Sequence, residues 1–152
     1  MAAGRSRADG LLLDLDGVLV GSLGSQLPGA LTALSQTDVP VAVVTSFRHA
    51  SALARLRHAG LPTPRVVVGA DDVLHGKPDP EPYRRGAELL GVTADACVGV
   101  DDSPAGIAAV LASGATAIAV TTNHAADRFP YVAAVLTSLS DLRITPGAVA
   151  WG

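Results

Sequence analysis

Basic residues, cysteine and charged residues in general are scarce in this sequence. Their scarcity argues against a nucleic-acid-binding protein, a disulfide-stabilised protein and a disordered chain. The eleven basic residues are scattered singly or in pairs and the formal net charge is −3, so no basic stripe is available for nucleic acid. The single cysteine, Cys97, excludes an internal disulfide and fits a reducing cytoplasm. With 16% charged and 49% hydrophobic residues, the composition indicates a globular chain rather than a disordered one.

Long uncharged runs are also few, and none predicts a membrane span. Residues 103–126 carry no Asp, Glu, Lys or Arg, but Gly106 and Gly114 divide this stretch into helix, turn and strand. Two carboxylates interrupt the apolar run near the N-terminus, which argues against a signal peptide or an anchor. We predict one domain over residues 10–145 and a disordered N-terminus over residues 1–9.

Short apolar runs alternate with segments of helical spacing along the chain. The runs are nearly continuous, which is typical of parallel strands covered on both faces. This alternation predicts an α/β fold, a three-layer, doubly wound parallel sheet of five to six strands, of the Rossmann type. The predicted strands are residues 11–15, 39–44, 65–68, 96–100 and 115–120, with 133–137 as a sixth, edge strand. The predicted helical segments fall around residues 27–34, 53–59, 83–90 and 104–113.

Polar side chains follow the predicted strands at one rim of the sheet. Ligands of doubly wound sheets bind at the carboxyl ends of the strands, so these side chains are candidates for a site. A pair of carboxylates after a buried strand is costly unless a cation, a lysine or a substrate meets it. The rim residues are Asp14 and Asp16 after the first strand, Thr45 and Ser46 after the second, Lys77 after the third, and Asp101 and Asp102 after the fourth.

These side chains are the parts that phosphoryl transfer requires. Up to four carboxylates in one place suit Mg2+, which prefers hard oxygen ligands and accepts phosphate oxygens at its open positions. Thr45 and Ser46 offer a hydroxyl group and backbone N–H groups at a helix start, where anions bind. Lys77 is the only lysine beside ten arginines, which indicates a position that needs a compact ammonium group. Positioning and charge stabilisation are the main demands of this chemistry.

Each rim motif also has a purely structural interpretation. The Asp-Gly pair at Asp16 is common in turns, and the acids before Ser103 could cap a helix. Their coincidence at one rim favours a catalytic site over separate turns and caps. A phosphorylatable receiver domain combines similar residues, but it presents its acidic pair first and its lysine last, whereas here the adjacent pair Asp101 and Asp102 follows Lys77.

Four motifs, in this order, resemble those of the haloacid dehalogenase-like (HAD) hydrolases. They are DLDGVL at residues 14–19, VVTS at 43–46, GKPDPEPY at 76–83 and GVDDSPAGIAA at 99–109. The resemblance extends from about residue 11 to residue 122 and is nearest to the phosphatases that act on sugar, polyol and glycolate phosphates. It implies a Mg2+-dependent phosphatase with a phosphorylated small-molecule substrate.

The resemblance also implies a role for the first two acids. Asp14 would attack phosphorus and become a phosphoaspartate, and it would contact Mg2+. Asp16 would protonate the leaving oxygen and then activate water, while its backbone carbonyl contacts Mg2+.

The remaining roles implied by the resemblance concern the phosphate and the metal. Thr45 would bind the phosphoryl oxygens with help from the Ser46 backbone, and Lys77 would hold nucleophile and phosphate together. Asp102 would ligate Mg2+ directly, and Asp101 would assist it.

The sequence departs from these relatives where a helical cap domain normally lies between the first two motifs. Only 28 residues separate Asp16 from Thr45, and they already include the predicted helix at 27–34. Because a cap excludes water and selects the substrate, its absence leaves three hypotheses open. The rim admits a bulky substrate such as a phosphoprotein; a partner or a second subunit covers it; or activity is weak or lost and the chain is a binding module.

Three further residues close to the motifs are candidates for substrate contacts. Phe47 stands where small residues are common in the relatives, so it would either wall the site or obstruct it. His49 and His75 follow or flank the motifs and could contact the substrate.

Overall fold

A six-stranded, all-parallel sheet forms the centre of the computed structural model, which describes residues 2–152. The strands of the chain are β1 (Gly4–Arg7), β2 (Gly10–Leu13), β3 (Val41–Val44), β4 (Val66–Val68), β5 (Cys97–Asp101), β6 (Thr116–Val120), β7 (Ala134–Leu136), β8 (Arg143–Thr145) and β9 (Ala148–Trp151). The α-helices are α1 (Ala30–Ser35), α2 (His49–His58), α3 (Glu81–Leu90) and α4 (Pro104–Ser113).

The order of the strands places a ligand-binding crevice beside β2. The sheet runs β4-β3-β2-β5-β6-β7, so the chain moves outward from β2 in one direction and then returns to β5 on the other side. Ligands of such sheets bind at the carboxyl ends of the strands where the direction reverses. The predicted doubly wound fold is therefore confirmed, including β7 as a parallel edge strand.

Both faces of the sheet are covered, as the continuous apolar runs predict. On one face, Leu11 and Leu13 pack in a cluster that includes Ala52 of α2. On the other face, Leu12 packs with Tyr83 of α3 and with residues of α4. Alternate residues of β2 thus serve opposite cores, and the three layers follow from the period of two along a strand.

The ends of the helices follow from local chemistry. Ser103 caps α4 by accepting a hydrogen bond from the Gly106 N–H at 3.0 Å, and Pro104 occupies the first helical position. The first helix is shorter than its apolar spacing suggests, because Gly29 adopts a left-handed conformation (φ 88°) and α1 begins only at Ala30.

A small second sheet corrects the prediction of a disordered N-terminus over residues 1–9. β1 pairs antiparallel with β9, which pairs with β8, so residues 4–7 are ordered and the fold continues past residue 145. Trp151 is buried and packs directly over Gly4, which has no side chain to obstruct the ring. Met1 lies outside the described residues.

No α-helix in the described residues 2–152 has both the length and the apolar character required to cross a membrane.

Candidate active site

Three carboxylates converge at the carboxyl edge of the sheet. Oxygens of Asp14, Asp101 and Asp102 lie within 4.8 Å of one another because β2 and β5 are neighbours that end at the same level. The Asp14 N–H donates to the carbonyl of Val100 at 3.0 Å, which extends the pairing of β2 with β5 to the first acid. Gly17 then turns the chain with φ +83°, and a Cβ atom there would overlap the Asp102 carboxylate.

Lys77 reaches into this acidic cluster from the loop after β4. Its Nζ atom donates to Asp14 Oδ1 at 2.9 Å, to Asp101 Oδ2 at 2.8 Å and to the carbonyl oxygen of Val44 at 3.1 Å. Only 6% of the side chain is exposed. Three acceptors around one nitrogen match the three donors of an ammonium group, whereas a planar guanidinium would not fit.

Asp101 is the most fully hydrogen-bonded member of the cluster. Its Oδ1 atom accepts from the N–H and the hydroxyl group of Ser103 at 3.0 and 3.1 Å. Its Oδ2 atom accepts from Lys77 and, at 2.5 Å, from the Tyr83 hydroxyl group. Since both oxygens are engaged by protein donors, Asp101 anchors Lys77.

The ammonium group of Lys77 compensates the negative charges of Asp14 and Asp101 to different extents. Burial, together with the neighbouring charge of Asp101, raises the pKa of the Asp14 carboxyl well above its usual range despite the contact with Lys77. Burial opposes the charge of Asp101 as well, but Lys77, Tyr83 and the Ser103 N–H outweigh it and lower the Asp101 pKa. Burial works against the Lys77 charge too, yet Asp14 and Asp101 together raise the Lys77 pKa. Asp14 is therefore the carboxylate that would gain most from additional positive charge.

The two buried acids that line the pocket, Asp14 and Asp102, fit a divalent cation. Asp102 accepts from the Asn123 side-chain amide through Oδ2 at 2.7 Å, and Asp14 accepts from Lys77 through Oδ1. The other oxygen of each carboxylate remains available, and both side chains are buried. Two carboxylates with open positions beside them are the donor set that suits Mg2+.

A pocket of about 290 Å³ opens at this cluster, and Thr45, which carries a hydroxyl group, also lines it. Thr45, directly after β3, is buried, and its hydroxyl oxygen accepts from the Phe47 N–H at 3.2 Å. Ser46 is exposed, and α2 begins three residues later, at His49. The pocket is lined by Asp14, Asp16, Thr45, Ser46, Phe47, Lys77, Asp102 and Ser103.

Asp16 points away from the acidic cluster and toward α2. Its side chain is 45% exposed, and its Oδ1 atom accepts from the Arg55 guanidinium at 2.5 Å. The same guanidinium lies over the Phe47 ring, 4.7 Å from the ring centre. Asp14 and Asp16 leave β2 together, but only Asp14 joins the group of three carboxylates. The two acids thus have different surroundings: Asp14 is buried beside Lys77, whereas Asp16 is partly exposed beside Arg55.

The structure brings six of the seven predicted site residues to the rim of the pocket, while Asp101 lies just beneath them. Phe47 forms part of the wall. The histidines do not line this pocket: His49 pairs with Asp72 at 2.6 Å, and His75 pairs with Glu81 at 3.2 Å.

Three residues of the site are not predicted as site residues by the sequence. Arg55 is one of ten arginines, and its contact with Asp16 spans 39 positions. Asn123 and Tyr83 contact Asp102 and Asp101 from separate loops and helices. Tyr83 falls within the third motif, but its spacing predicts only a buried helix position.

The segment between Asp16 and Thr45 contains no cap domain. It consists of a short turn, α1 and β3, and the turn is closed by bridges from Val20 to Asp16 and to Gln26. The fold and the site together define a doubly wound α/β protein with an acid, lysine and hydroxyl centre at the switch point of its sheet.

Comparison with known proteins identifies the family within this class. Residues 24–114 match the haloacid dehalogenase-like hydrolase family. Over 122 residues the chain is 43% identical to hexitol phosphatase A of Escherichia coli (strain K12), covering 78% of this chain and 56% of that protein. Over 94 residues it is 39% identical to a phosphoglycolate phosphatase of Rhodospirillum rubrum, covering 59% and 39%. The chain therefore belongs to the haloacid dehalogenase-like hydrolases, as the motif resemblance implies.

Solved structures agree with this assignment at the level of the fold. The crystal structure of β-phosphoglucomutase from Clostridium difficile matches with a TM-score of 0.78 at 16% identity, over 90% of this chain and 94% of that chain. The chain spans about half the length of the hexitol phosphatase that it resembles.

Proposed function

We propose that this protein is a Mg2+-dependent phosphoric monoester hydrolase that acts through a phosphoaspartate on Asp14. The observation that carries the proposal is the placement of one buried ammonium group between Asp14 and Asp101, in a pocket that Thr45 also lines. A nucleophilic carboxylate, a fixed positive charge and a hydroxyl donor around one small pocket are the requirements for phosphoryl transfer.

Asp14 and Asp102 are the side chains that would hold Mg2+, together with the backbone carbonyl of Asp16. When bound, the ion supplies positive charge that neutralises phosphoryl oxygens and the Asp14 carboxylate. The raised pKa of Asp14 supports this assignment because its charge is undercompensated by Lys77 alone. The sequence places Asp101 among the metal residues as well; since four protein donors already engage its oxygens, we assign Asp101 to positioning Lys77.

Proton transfer falls to Asp16 in the proposed mechanism. A carboxylate oxygen of Asp14 forms a bond to phosphorus, the bond from phosphorus to the ester oxygen breaks, and protonated Asp16 gives its proton to that oxygen. Asp16 then takes a proton from water, the water oxygen bonds to phosphorus, and the Asp14 oxygen leaves as a carboxylate. Thr45 and Lys77 hold the phosphoryl oxygens during both steps.

Small phosphorylated metabolites are the proposed substrates. The relatives named above are a hexitol phosphatase and a phosphoglycolate phosphatase, and a pocket of about 290 Å³ accommodates a phosphoryl group with a short leaving group. The buried cysteine, Cys97, supports placement in a reducing cytoplasm.

The test is hydrolysis of p-nitrophenyl phosphate with and without Mg2+. We expect hydrolysis that requires the metal and disappears in Asp14→Asn, a variant that keeps the shape of the side chain but removes the nucleophilic charge. Equal rates for the two proteins would contradict the proposal. A panel of phosphorylated metabolites and phosphopeptides, with the same variant as the control, then identifies the substrate class.

A binding module with weak or absent activity is the second candidate. The contact of Asp16 with Arg55 favours it, because the guanidinium already engages an oxygen of the carboxylate that would have to transfer the proton. Metal-dependent binding of inorganic phosphate without turnover of any ester would support this candidate. If a second subunit covers the uncapped rim, light scattering will show a dimer. If the rim admits a macromolecular substrate, the panel will show phosphopeptide hydrolysis.

A further inference from the structure

The loop that follows β6 contacts two segments that carry proposed metal donors. β6 pairs in parallel with β5, so the chain leaves the sheet after β6 beside the chain that leaves it after β5. Asn123 in this loop donates from Nδ2 to Asp102 Oδ2 at 2.7 Å. Its neighbour Thr122 donates from Oγ1 to the carbonyl oxygen of Gly17 at 2.5 Å. Two adjacent residues thus connect the turn after β2 with the acid that follows β5.

The Oδ2 atom of Asp102 is held between Asn123 and the Gly17 turn. A Cβ atom at Gly17 would overlap this oxygen, so the backbone of the turn packs directly on it. Asn123 engages the same oxygen, and the Asp102 side chain is buried. The carboxylate is therefore fixed through Oδ2, while its Oδ1 atom remains available to a cation.

The two peptide groups that flank Gly17 are fixed as well. The Gly17 N–H donates to Val20 O at 2.8 Å, and the planar peptide that contains this N–H also contains the carbonyl group of Asp16. The peptide on the other side of Gly17 is held by the Thr122 hydroxyl group. Because glycine has the freest backbone of all residues, these two bonds restrict the part of the turn that would otherwise be most mobile.

The base of the loop is anchored separately, at β7. The Thr121 N–H donates to Leu136 O at 2.9 Å, and the Thr121 hydroxyl group approaches the same oxygen at 3.4 Å. The two successive threonines therefore bond in different directions, Thr121 to β7 and Thr122 to the turn after β2. This anchor gives Asn123 and Thr122 a fixed base from which to hold their partners.

We propose that Asn123 and Thr122 are positioning residues that order the Mg2+ site before the metal binds. The inference rests on the proposed function, which assigns the metal to Asp14, Asp102 and the backbone carbonyl of Asp16. Two neighbouring carboxylates repel each other in the metal-free protein, and the Asn123 amide offsets this repulsion at Asp102. Residues that hold a metal ligand in this way commonly contribute about 10–100-fold to metal affinity.

Binding of Mg2+ to the metal-free protein, measured by calorimetry at pH 7, tests the proposal. We expect Asn123→Leu, which removes the donor but keeps a side chain of similar size, to raise the Kd for Mg2+ about tenfold. Thr122→Val, which is isosteric, should raise it about fivefold, the effect of one lost hydrogen bond. Thr121→Val is the matched control, because its hydroxyl group contacts β7 instead, and should leave the Kd unchanged.

Hydrolysis of p-nitrophenyl phosphate at increasing Mg2+ concentration separates positioning from general damage to the fold. Asn123→Leu should need about tenfold more Mg2+ for its half-maximal rate, whereas kcat at saturating Mg2+ should stay close to that of the parent protein. A raised Kd supports the inference even if no ester is hydrolysed. An unchanged Kd in both variants, or a Kd raised equally by Thr121→Val, overturns it and leaves the proposed function standing. Absence of Mg2+ binding by the parent protein overturns the proposed function together with the inference.

Discussion

At the scale of single residues, the site has one buried cation facing two buried carboxylates. Lys77 satisfies Asp101 fully and Asp14 only in part, since burial and the Asp101 charge keep the Asp14 pKa raised. A group whose folded pKa is raised contributes stability at a pH below its unfolded pKa and loses that contribution as the pH rises through the folded pKa. In the metal-free protein, therefore, the ionised form of Asp14 is the form that burial destabilises.

Asp14→Asn should consequently make the metal-free protein more stable while abolishing its activity. We expect the melting temperature in EDTA at pH 7 to rise by on the order of 3 °C. The difference from the parent protein should shrink as the pH is lowered and Asp14 becomes protonated first in the folded and then in the unfolded protein. Thermal unfolding followed by circular dichroism across this pH range is the measurement. A lower melting temperature of the variant at pH 7 would show that the pair with Lys77 outweighs the cost of burial.

Lys77→Met should have the opposite effect, because it leaves Asp14 and Asp101 together without a cation. Removing one partner of a buried ion pair typically costs about 3–5 kcal/mol, and we expect a loss of that size here. In the double variant with Asp14→Asn, part of the loss should be recovered, since only one buried carboxylate then lacks its partner. Urea unfolding of the four proteins in EDTA measures the coupling. Strictly additive free energies of unfolding would contradict the shared-cation arrangement.

The sequence predicts these acids and the lysine more readily than the residues that support them. Asp14, Asp101 and Lys77 stand in motifs after apolar runs, where a polar residue is conspicuous. Arg55 and Asn123 lie among ordinary surface residues, and only the packing of α2 and the loop after β6 brings them to the site.

At the scale of secondary structure, the first turn of α4 packs closely against the Asp101 carboxylate at Gly106, where there is no side chain. Gly106 lies in the first turn of α4, and a Cβ atom at this position would overlap the Asp101 carboxylate. The N–H of Gly106 also donates to the capping hydroxyl group of Ser103, which itself donates to Asp101. The start of the helix and the anchor of Lys77 therefore depend on the same glycine.

Gly106→Ala should damage the site although alanine favours a helix. Alanine in place of glycine normally stabilises a helix interior by about 1 kcal/mol. Here we expect a loss of about 1–3 kcal/mol from the overlap with Asp101, and at least tenfold lower activity because Lys77 is displaced. The control is Ala108→Gly, an exposed position in the same helix, which should cost about 1 kcal/mol and leave activity intact. Unchanged activity of Gly106→Ala would show that Asp101 can move without consequence.

Secondary structure was predictable where it is buried on both sides and not where it is half exposed. β2 to β6 are apolar runs, and their parallel pairing follows from the helices between them. β1 alternates between partly buried and exposed residues over only four positions and includes Arg5 and Arg7, so it has the composition of a loose terminus. Its partner β9 is distant in sequence, and no local pattern indicates that the two strands pair.

At the scale of the whole molecule, the large sheet carries the pocket, whereas the small sheet contributes to stability. The proposed active-site pocket lies at the carboxyl edge of the large sheet. The small sheet joins the chain where β2 begins: the Ala8 N–H donates to Gly147 O at 2.9 Å and the Asp9 N–H to Ala96 O at 2.8 Å. The small sheet therefore closes the edge opposite the pocket. Changes in it should alter stability without altering the chemistry.

Trp151→Ala tests this division. Trp151 is 6% exposed and belongs to the same apolar cluster as Leu11 and Leu13, so its loss should cost about 3–5 kcal/mol, as for other buried large aromatics. Since β1 is held by β9, trypsin should then cleave the native variant after Arg5 or Arg7 faster than it cleaves the parent protein. We expect kcat on p-nitrophenyl phosphate to stay within about twofold at a temperature where the variant remains folded, because no residue of the pocket is touched.

Tyr131→Ala, at a position 89% exposed, is the matched control and should change neither unfolding nor proteolysis. A large fall in kcat of folded Trp151→Ala would mean that the small sheet supports the catalytic edge through β2, and the two sheets would then form one functional unit.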